Sequence, residues 1–332
     1  MENLGLNKTL KDQRVLVTGA TGLVGSKLVQ RLIDMKANVA VLLIEESPES
    51  LVVRNRLLEK CTVYSGNLAD YSFVERSVCD FEPEIVFHLG AQTIVGKAIQ
   101  NPKVTFEANI QGTWNLLEAI RLNVPGIQSI SVASSDKAYG TSKVLPYDET
   151  FPLHGDGPYD VSKSCTDLIS QSYGTSYDLP IVIARCGNIY GPGDFNWSRI
   201  VPGTIRALFK DEMPVIRSNG SNLRDYIFVD DVVNAYLNLA VNRLRWQPGE
   251  AFNFSNDQAY SVMEIYSEIC DVVKGKYVEP KIMNLAINEI QDQHLTSEKA
   301  NRTLDWEAQY SLKEGLQLTA RWYREILKME SN

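Results

Sequence analysis

The sequence predicts an α/β fold: a parallel sheet with helices wound over both faces, followed by a smaller α/β lobe. Three observations carry this reading. Short apolar runs alternate with helical patterns through the first 190 residues, a glycine-rich turn joins the first run to the first helix, and after about residue 195 helices are separated by shorter strands. The bulk numbers agree with it. A chain of 332 residues is long enough for one large domain or two intimate ones. With 44% hydrophobic and 22% charged residues it is ordinary globular material. A net charge of −8 argues against a nucleic-acid partner, but leaves room for a nucleotide ligand, which needs only local donors and a few cations.

The first strand is RVLVT at 14–18, and GATGLVG follows before a helical pattern through Leu28, Val29, Leu32 and Ile33. Gly19, Gly22 and Gly25 form G-x-x-G-x-x-G between strand and helix. In that position glycines let the backbone approach a pyrophosphate, and the helix N-terminus offers it N–H groups and a positive dipole end. This points to a Rossmann-type, doubly wound dinucleotide-binding sheet. The second strand, Asn38 to Ile44, should end in an acid that hydrogen-bonds an adenosine ribose. Leu43 occupies that place, Glu45 and Glu46 come slightly late, and no arginine pair stands ready for a 2′-phosphate. The expectation is NAD, with NADP left open.

Further βα alternation follows: CTVYSGN and a helix from Asp70, EIVFHLGAQ and a helix from about Pro102 to Leu122, then IQSISVASS. Ligands of such a sheet sit at the carboxyl ends of the strands. Gly90 and Ala91 lie at one such end, Ser135 at another, and Asn67 and Leu68 follow the third strand, where they could flank an adenine. His88, inside an apolar strand, reads as a satisfied buried histidine. After IVIARC at 181–186 and the loop GNIYGPGDFNWSRIVP come helices near 199–210, 230–243, 261–274, 297–304 and 311–328, with strands PVI, YIFV and AFNFS between them. These strands are expected to build the small sheet of a substrate lobe. The domain division is therefore 1–190 for the dinucleotide-binding part and 191–332 mainly for the substrate-binding lobe. Arg199 and Arg224 are its best phosphate clamps, since a guanidinium binds phosphate bidentately; for Arg224 an ion pair with Asp225 at a helix entry is the alternative.

The five cysteines form no C-x-x-C and the three histidines show no metal spacing, so no metal site and a reduced, cytoplasmic setting are expected. No apolar run reaches membrane-spanning length, and the N-terminal stretch with Glu2, Asn3 and Lys8 lacks a signal-peptide core.

Chemistry concentrates between Ser134 and Lys163. Tyr-x-x-x-Lys is a cheap pattern and occurs three times. Tyr139/Lys143 is interrupted by Gly140 and Tyr277/Lys281 contains Pro280, so only Tyr159/Lys163, with Pro158 at a helix start, can form a pair on one helical face, about 5–6 Å apart at Cβ. An ammonium so placed is expected to lower the Tyr159 pKa towards working pH.

The motifs GATGLVG, HLGAQ, N-x-x-G-T-x-N-L-L-E-A (Asn109 to Ala119), SSDKAYG, YDVSK, RCGNIYGPGD, RDYIFVDD and SEKANRTLDW stand in one order over nearly the whole chain. Together they resemble the extended short-chain dehydrogenase/reductases, specifically the NAD-dependent nucleotide-sugar epimerases and dehydratases. The resemblance implies catalytic Ser135, Tyr159 and Lys163, and cofactor contacts from Gly19, Thr21, Gly22, Leu23, Val24, Gly25, Asn67, Leu68, Leu89, Gly90 and Ala91 besides Tyr159 and Lys163. It implies substrate contacts from Gln92, Asn188, Arg199 and Arg224. Epimerases usually carry small or uncharged residues after the catalytic hydroxyl, whereas 4,6-dehydratases carry an acid and often a second ionisable group. Asp136-Lys137 is similar to the Thr-Asp-Lys of CDP-glucose 4,6-dehydratases, as are HLGAQTIVGKAIQNP and the loop after IVIARC. Serine in place of threonine, RDYIFVDD and the displaced ribose acid depart from that pattern.

The resemblance thus implies an NDP-hexose 4,6-dehydratase with Asp136 as acid and Lys137 as base. A 4-epimerase needing only Ser135, Tyr159, Lys163 and NAD is the alternative, and a non-catalytic nucleotide-sugar binder a more distant one. It also implies a homodimer through helices near 103–121 and 159–176.

Overall fold

The computed structural model describes residues 10–284 and 290–330; Glu2, Asn3 and Lys8 lie outside the described residues. Seven parallel strands form the main sheet in the order β3-β2-β1-β4-β5-β6-β10. They are β1 (Arg14–Thr18), β2 (Asn38–Leu43), β3 (Thr62–Ser65), β4 (Ile85–His88), β5 (Ser129–Ala133), β6 (Ile181–Cys186) and β10 (Glu250–Phe254). The reversal of order between β1 and β4 opens a crevice at the carboxyl ends of those strands, where a dinucleotide is received in this architecture.

Alternate residues of each strand feed two separate cores, as burial of both sheet faces requires. Val15, Val17, Val39, Val41 and Phe87 pack with the helices Leu23–Asp34 and Val229–Val241. Leu16, Ala40, Leu42, Val86 and Ile130 pack on the other side with Tyr71–Phe81 and Gly112–Asn123. Local sequence sets the helix ends. The Asp70 carboxylate accepts the Phe73 N–H at 3.3 Å, and Ser261 with Glu264 forms a capping box.

One expectation is refined here and one corrected. The helix expected from about Pro102 to Leu122 runs without a break through Pro102–Phe106, a π turn at Glu107–Gln111, and Gly112–Asn123. The π turn carries the buried Asn109, which donates to Ser162 Oγ (2.8 Å) and to the Gln92 carbonyl (3.0 Å), a local distortion of a kind common beside functional sites.

AFNFS does not join a substrate-lobe sheet. As β10 it pairs in parallel with β6, so the main sheet takes its last strand from beyond residue 190. The reason is burial: Phe252 and Phe254 are fully buried, in the same apolar cluster as Val182 and Ala184 of β6.

The remaining strands make the smaller lobe. Around β9 (Leu223–Phe228) pair β7 (Asn188–Tyr190), β11 (Ala259–Ser261) and β13 (Asp292–Gln293), while β8 (Val215–Ile216) pairs with β12 (Lys281–Ile282). A third apolar cluster with Tyr190, Ile205, Phe228, Tyr266 and Tyr323 holds this lobe together.

Candidate active site

The crevice begins with the glycine turn. Gly19 has φ +72°, and a Cβ there would lie 2.7 Å from backbone atoms of Leu89 and Gly90; one on Gly25 would lie 2.1 Å from the Gly19 carbonyl oxygen. The turn after β1 and the turn after β4 can close on each other only without side chains. Gly22 stands at the N-cap of Leu23–Asp34 with no side-chain cap, which leaves that helix end to an anionic group. Leu68 packs over Gly90 and Gly112, bringing the turn after β3 to the same crevice, while Asn67 Oδ1 accepts the Ala69 N–H at 3.0 Å. These features fit a dinucleotide. Leu43 is in the core, and Glu45 and Glu46 are exposed past the end of β2.

A proton chain locks the turn after β4. Gly90 N donates to Thr18 Oγ1 (2.9 Å), Thr18 Oγ1 meets His88 Nδ1 (2.8 Å), His88 Nε2 meets Thr113 Oγ1 (3.0 Å), and Thr113 donates to the Asn109 carbonyl (2.6 Å). The Asn109 end fixes the direction: Nε2 carries the hydrogen and Nδ1 accepts from Thr18. Burial, with the positive Lys163 adding to it, lowers the His88 pKa to about 3. His88 is the satisfied buried histidine that its strand position suggests.

Ser135, Asp136 and Lys137 leave the end of β5 into a single 3-10 turn, Asp136–Tyr139, whose N-cap is Ser135. The Ser135 hydroxyl donates to Asp136 Oδ1 (2.8 Å) and accepts the Lys137 N–H (3.2 Å). Asp136 Oδ2 is buried without a hydrogen-bond partner and faces Lys137 Nζ at 3.9 Å. Facing this turn is the helix Pro158–Tyr177. Pro158 takes the first helical position, and the Asp160 carboxylate accepts the Gly157 N–H at 3.3 Å. Tyr159 and Lys163 are both buried on its inner face; Tyr139 and Lys143 do not share a helix, nor do Tyr277 and Lys281.

The expected lowering of the Tyr159 pKa by Lys163 is corrected. Burial first, and the Asp136 charge second, hold the phenol well above its ordinary value, while the Ser135 hydroxyl and Arg199 pull it down. Lys163 instead donates to the Ala133 carbonyl at 2.7 Å, and burial lowers its own pKa to about 8. Helical spacing brought the two side chains to one face, but the carbonyl at the end of β5 claims the ammonium.

A hydroxyl, a phenol, an acid and two amines thus converge beside a dinucleotide crevice. The family model for GDP-mannose 4,6 dehydratase matches residues 16–319. The chain belongs to this dehydratase family. It is 28% identical to the dTDP-D-glucose 4,6-dehydratase of Homo sapiens, over 94% of this chain and 90% of that protein. It is 29% identical to the CDP-glucose 4,6-dehydratase of Salmonella typhimurium, over 96% and 92%. Among solved structures, the UDP-glucose 4-epimerase of Thermotoga maritima with UDP-glucose superposes with a TM-score of 0.86 at 30% identity, covering 94% of this chain and 99% of that one. MoeE5 in complex with UDP-glucose and NAD superposes with a TM-score of 0.82 at 25% identity, over 94% and 99%.

In this member of the dehydratase family the residues expected to touch substrate are engaged with the protein itself. Gln92 donates to Thr105 Oγ1 (3.0 Å) and Ile94 O (3.2 Å) and accepts the Ile94 N–H (2.6 Å). Asn188 donates to the Asp225 carbonyl at 3.2 Å. Arg199 pairs with Asp194 at 3.0 Å beside the phenol's side of the site. Arg224 donates to the carbonyls of Leu223 (2.8 Å), Gln291 (2.9 Å) and Ile290 (2.5 Å). The helix-entry ion pair is corrected: Arg224 and Asp225 lie within β9, where successive side chains take opposite faces. Thr21 is half-buried in the glycine turn, and Leu23 and Val24 pack partly into the third apolar cluster.

The sequence alone assigns no site role to two further residues here. Asp225 is fully buried with Oδ1 unpartnered and Oδ2 accepting the Leu295 N–H at 3.4 Å. Gln293, also fully buried, donates from Nε2 to the Asp136 carbonyl (3.0 Å) and accepts from Lys137 Nζ. Asp225 lies inside the quoted RDYIFVDD, but nothing local distinguishes Gln293 in IQDQHL. All five cysteines are free thiols. Among the described residues no group of three or more His, Cys, Asp or Glu is placed to hold a metal ion, and no helix is long and apolar enough to cross a membrane.

Proposed function

We propose that this chain is a nucleotide-sugar 4,6-dehydratase that converts an NDP-hexose to the NDP-4-keto-6-deoxyhexose, with a CDP-hexose as the leading substrate. The observation that carries the reading is the Asp136-Lys137 pair, directly after Ser135 on the turn that faces Tyr159. Oxidation at C4 needs no such pair; loss of water across C5 and C6 needs an acid and a base. The Salmonella relative and the motifs around HLGAQ and GNIYGPGDFNW favour the cytidine nucleotide.

The turns at Gly19–Gly25 and Leu89–Ala91, with Tyr159 and Lys163, would hold NAD, which would supply a reversible hydride acceptor beside the sugar. Tyr159 takes the proton of the 4-hydroxyl, and Ser135 holds the same oxygen. The Ser135 hydroxyl and Arg199, which already draw the phenol down, favour the phenolate that this step requires. Lys137 then removes the C5 proton made acidic by the 4-ketone, and Asp136 protonates the departing O6. Arg199, Arg224, Gln92 and Asn188 line the substrate side, and there Arg224 would have to share its donors between phosphate and the backbone carbonyls it already serves. We place the protein in the cytoplasm, as a homodimer through the helices around 103–121 and 159–176. Exposed Val104, Trp114 and Leu168 on those helices support the pairing, and size-exclusion chromatography with light scattering measures it.

The likeness to the Thermotoga epimerase supports a second reading, 4-epimerisation on Ser135, Tyr159 and Lys163 alone. Incubation with CDP-, dTDP-, GDP- and UDP-hexoses separates the two. The alkali-induced absorbance of a 4-keto-6-deoxy product is expected, and an epimer without keto product rejects the dehydratase.

A further inference from the structure

Gln293 comes from the far end of the chain, yet it holds both groups that would carry out elimination. Backbone hydrogen bonds tie its segment on both sides. β13 pairs with β9 so that Gln293 lies opposite Arg224, and Arg224 ties the preceding residues through the Ile290 and Gln291 carbonyls. On the other side Tyr147 N donates to the His294 carbonyl at 3.0 Å, and Leu295 N to Asp225. The side chain is fully buried, and its amide faces a group that only donates, Lys137 Nζ, and one that only accepts, the Asp136 carbonyl. An amide carries a donor and an acceptor on one side chain; a carboxylate would meet the lysine but oppose the carbonyl, and an amine the reverse.

We propose that Gln293 is the positioning residue of the elimination step: it aims the Lys137 amine at the C5 hydrogen through a neutral acceptor, and fixes the peptide that carries both Asp136 and Lys137. The inference rests on the dehydratase reading above. In that step the C5–H bond breaks towards the Lys137 lone pair, its electrons form the C5–C6 double bond, and the C6–O6 bond breaks. O6 leaves as water with the proton of Asp136, so Lys137 ends as ammonium and Asp136 as carboxylate, while Gln293 is unchanged. A base on a flexible four-carbon stem must be held in one direction and must also be able to lose its proton. The amide oxygen does both. It accepts an N–H from the ammonium or from the neutral amine, and in the latter the lone pair stays free for C5. Asp136, 3.9 Å from the Lys137 amine, enters this step as the protonated acid, whereas a carboxylate at position 293 would favour the ammonium and keep the base in its inactive form.

The test uses the full-length holoprotein, the CDP-, dTDP-, GDP- or UDP-hexose that it turns over fastest, and two variants of similar side-chain volume, Gln293→Met and Gln293→Glu. C4 oxidation is read as transient NADH absorbance, and elimination as 4-keto-6-deoxy product with solvent deuterium at C5. Oxidation in the same sample reports that the variant is folded and holds its cofactor. Gln293→Met should keep oxidation within about 3-fold and lose elimination by about 100-fold, the scale of one general-base contribution. Gln293→Glu should move the rising limb of the elimination pH profile upward by about 1–2 pH units, as a new carboxylate beside an amine does. Elimination within about 3-fold of wild type with an unmoved limb overturns the proposal. So does equal loss of oxidation and elimination in both variants, which would make Gln293 a general structural residue. If the unmodified protein forms no keto product from any of the four, the dehydratase reading itself fails and this inference falls with it.

Discussion

Asp225 should make the folded chain less stable as the pH rises from about 4 to 7, and replacing it by asparagine should abolish that dependence. Its carboxyl is fully buried on β9, with one oxygen unpartnered and the other on the Leu295 N–H. Burial raises its pKa from 3.8 to about 7; the hydrogen bond from Leu295 resists the rise, and the charges of Asp136 and Asp257 add to it. Between those two values the native state holds a proton that the unfolded chain has released, so stability falls as pH rises. At about 1.4 kcal/mol per pH unit, that interval is worth about 4 kcal/mol, most of the margin of a typical domain. The wild-type curve alone would hide it. His88, neutral when folded, works in the opposite direction from about pH 3 to 6.5, and Asp231, raised by burial to about 6, in the same direction as Asp225. The informative quantity is therefore the difference between Asp225→Asn and wild type in urea unfolding, at fixed protein and NAD concentration. We predict that the variant gains about 4 kcal/mol on wild type between pH 4 and pH 8, with the change complete by about pH 8. A difference that stays constant with pH would refute the burial argument.

Other expectations follow from the same geometry. Tyr159→Phe should lower C4 oxidation, read as transient NADH, by about 100- to 10,000-fold while NAD stays bound, because it removes only the proton acceptor. Gly25→Ala drives a Cβ to 2.1 Å from the Gly19 carbonyl oxygen, and should cost about 3 kcal/mol in urea unfolding or abolish NAD binding by isothermal calorimetry. Arg185 binds Asp167 through Nε (2.8 Å) and Nη2 (2.9 Å), both side chains being buried, and donates from Nη1 to Tyr139 OH. Asp167→Ala strands that guanidinium, and should destabilise the chain by about 3–5 kcal/mol. His88→Gln should remove the loss of stability that wild type suffers as the pH falls from 6.5 towards 3, where the unfolded histidine binds a proton that the buried one refuses.

Much of the dinucleotide-binding half is legible in the sequence because its signals are local. RVLVT before GATGLVG gives strand, turn and helix within about twenty residues, and the glycines are required by a contact only six residues apart, Gly25 against Gly19. IVIARC is β6 at its full extent, and Pro158 opens the helix that carries Tyr159 and Lys163 to one face. Helical spacing singles out the Tyr159/Lys163 pair, and the resemblance carried by the ordered motifs adds Ser135 to it.

What only the tertiary structure decided depends on partners distant in sequence. β10 completes the main sheet by pairing with a strand some seventy residues earlier, a choice made by burial of Phe252 and Phe254 and not by any local pattern. The direction of the Lys163 ammonium was settled by the Ala133 carbonyl, thirty residues away, so the spacing that brought Lys163 beside Tyr159 could not say what it would bind. Asp136-Lys137 stands in the sequence as an exposed-looking charged pair. It becomes a buried acid and an aimed amine because Gln293, 156 residues further on, closes over it. Periodicity and glycine spacing report what a segment does by itself; hydrogen bonds and burial between segments are fixed only when segments distant in the chain meet.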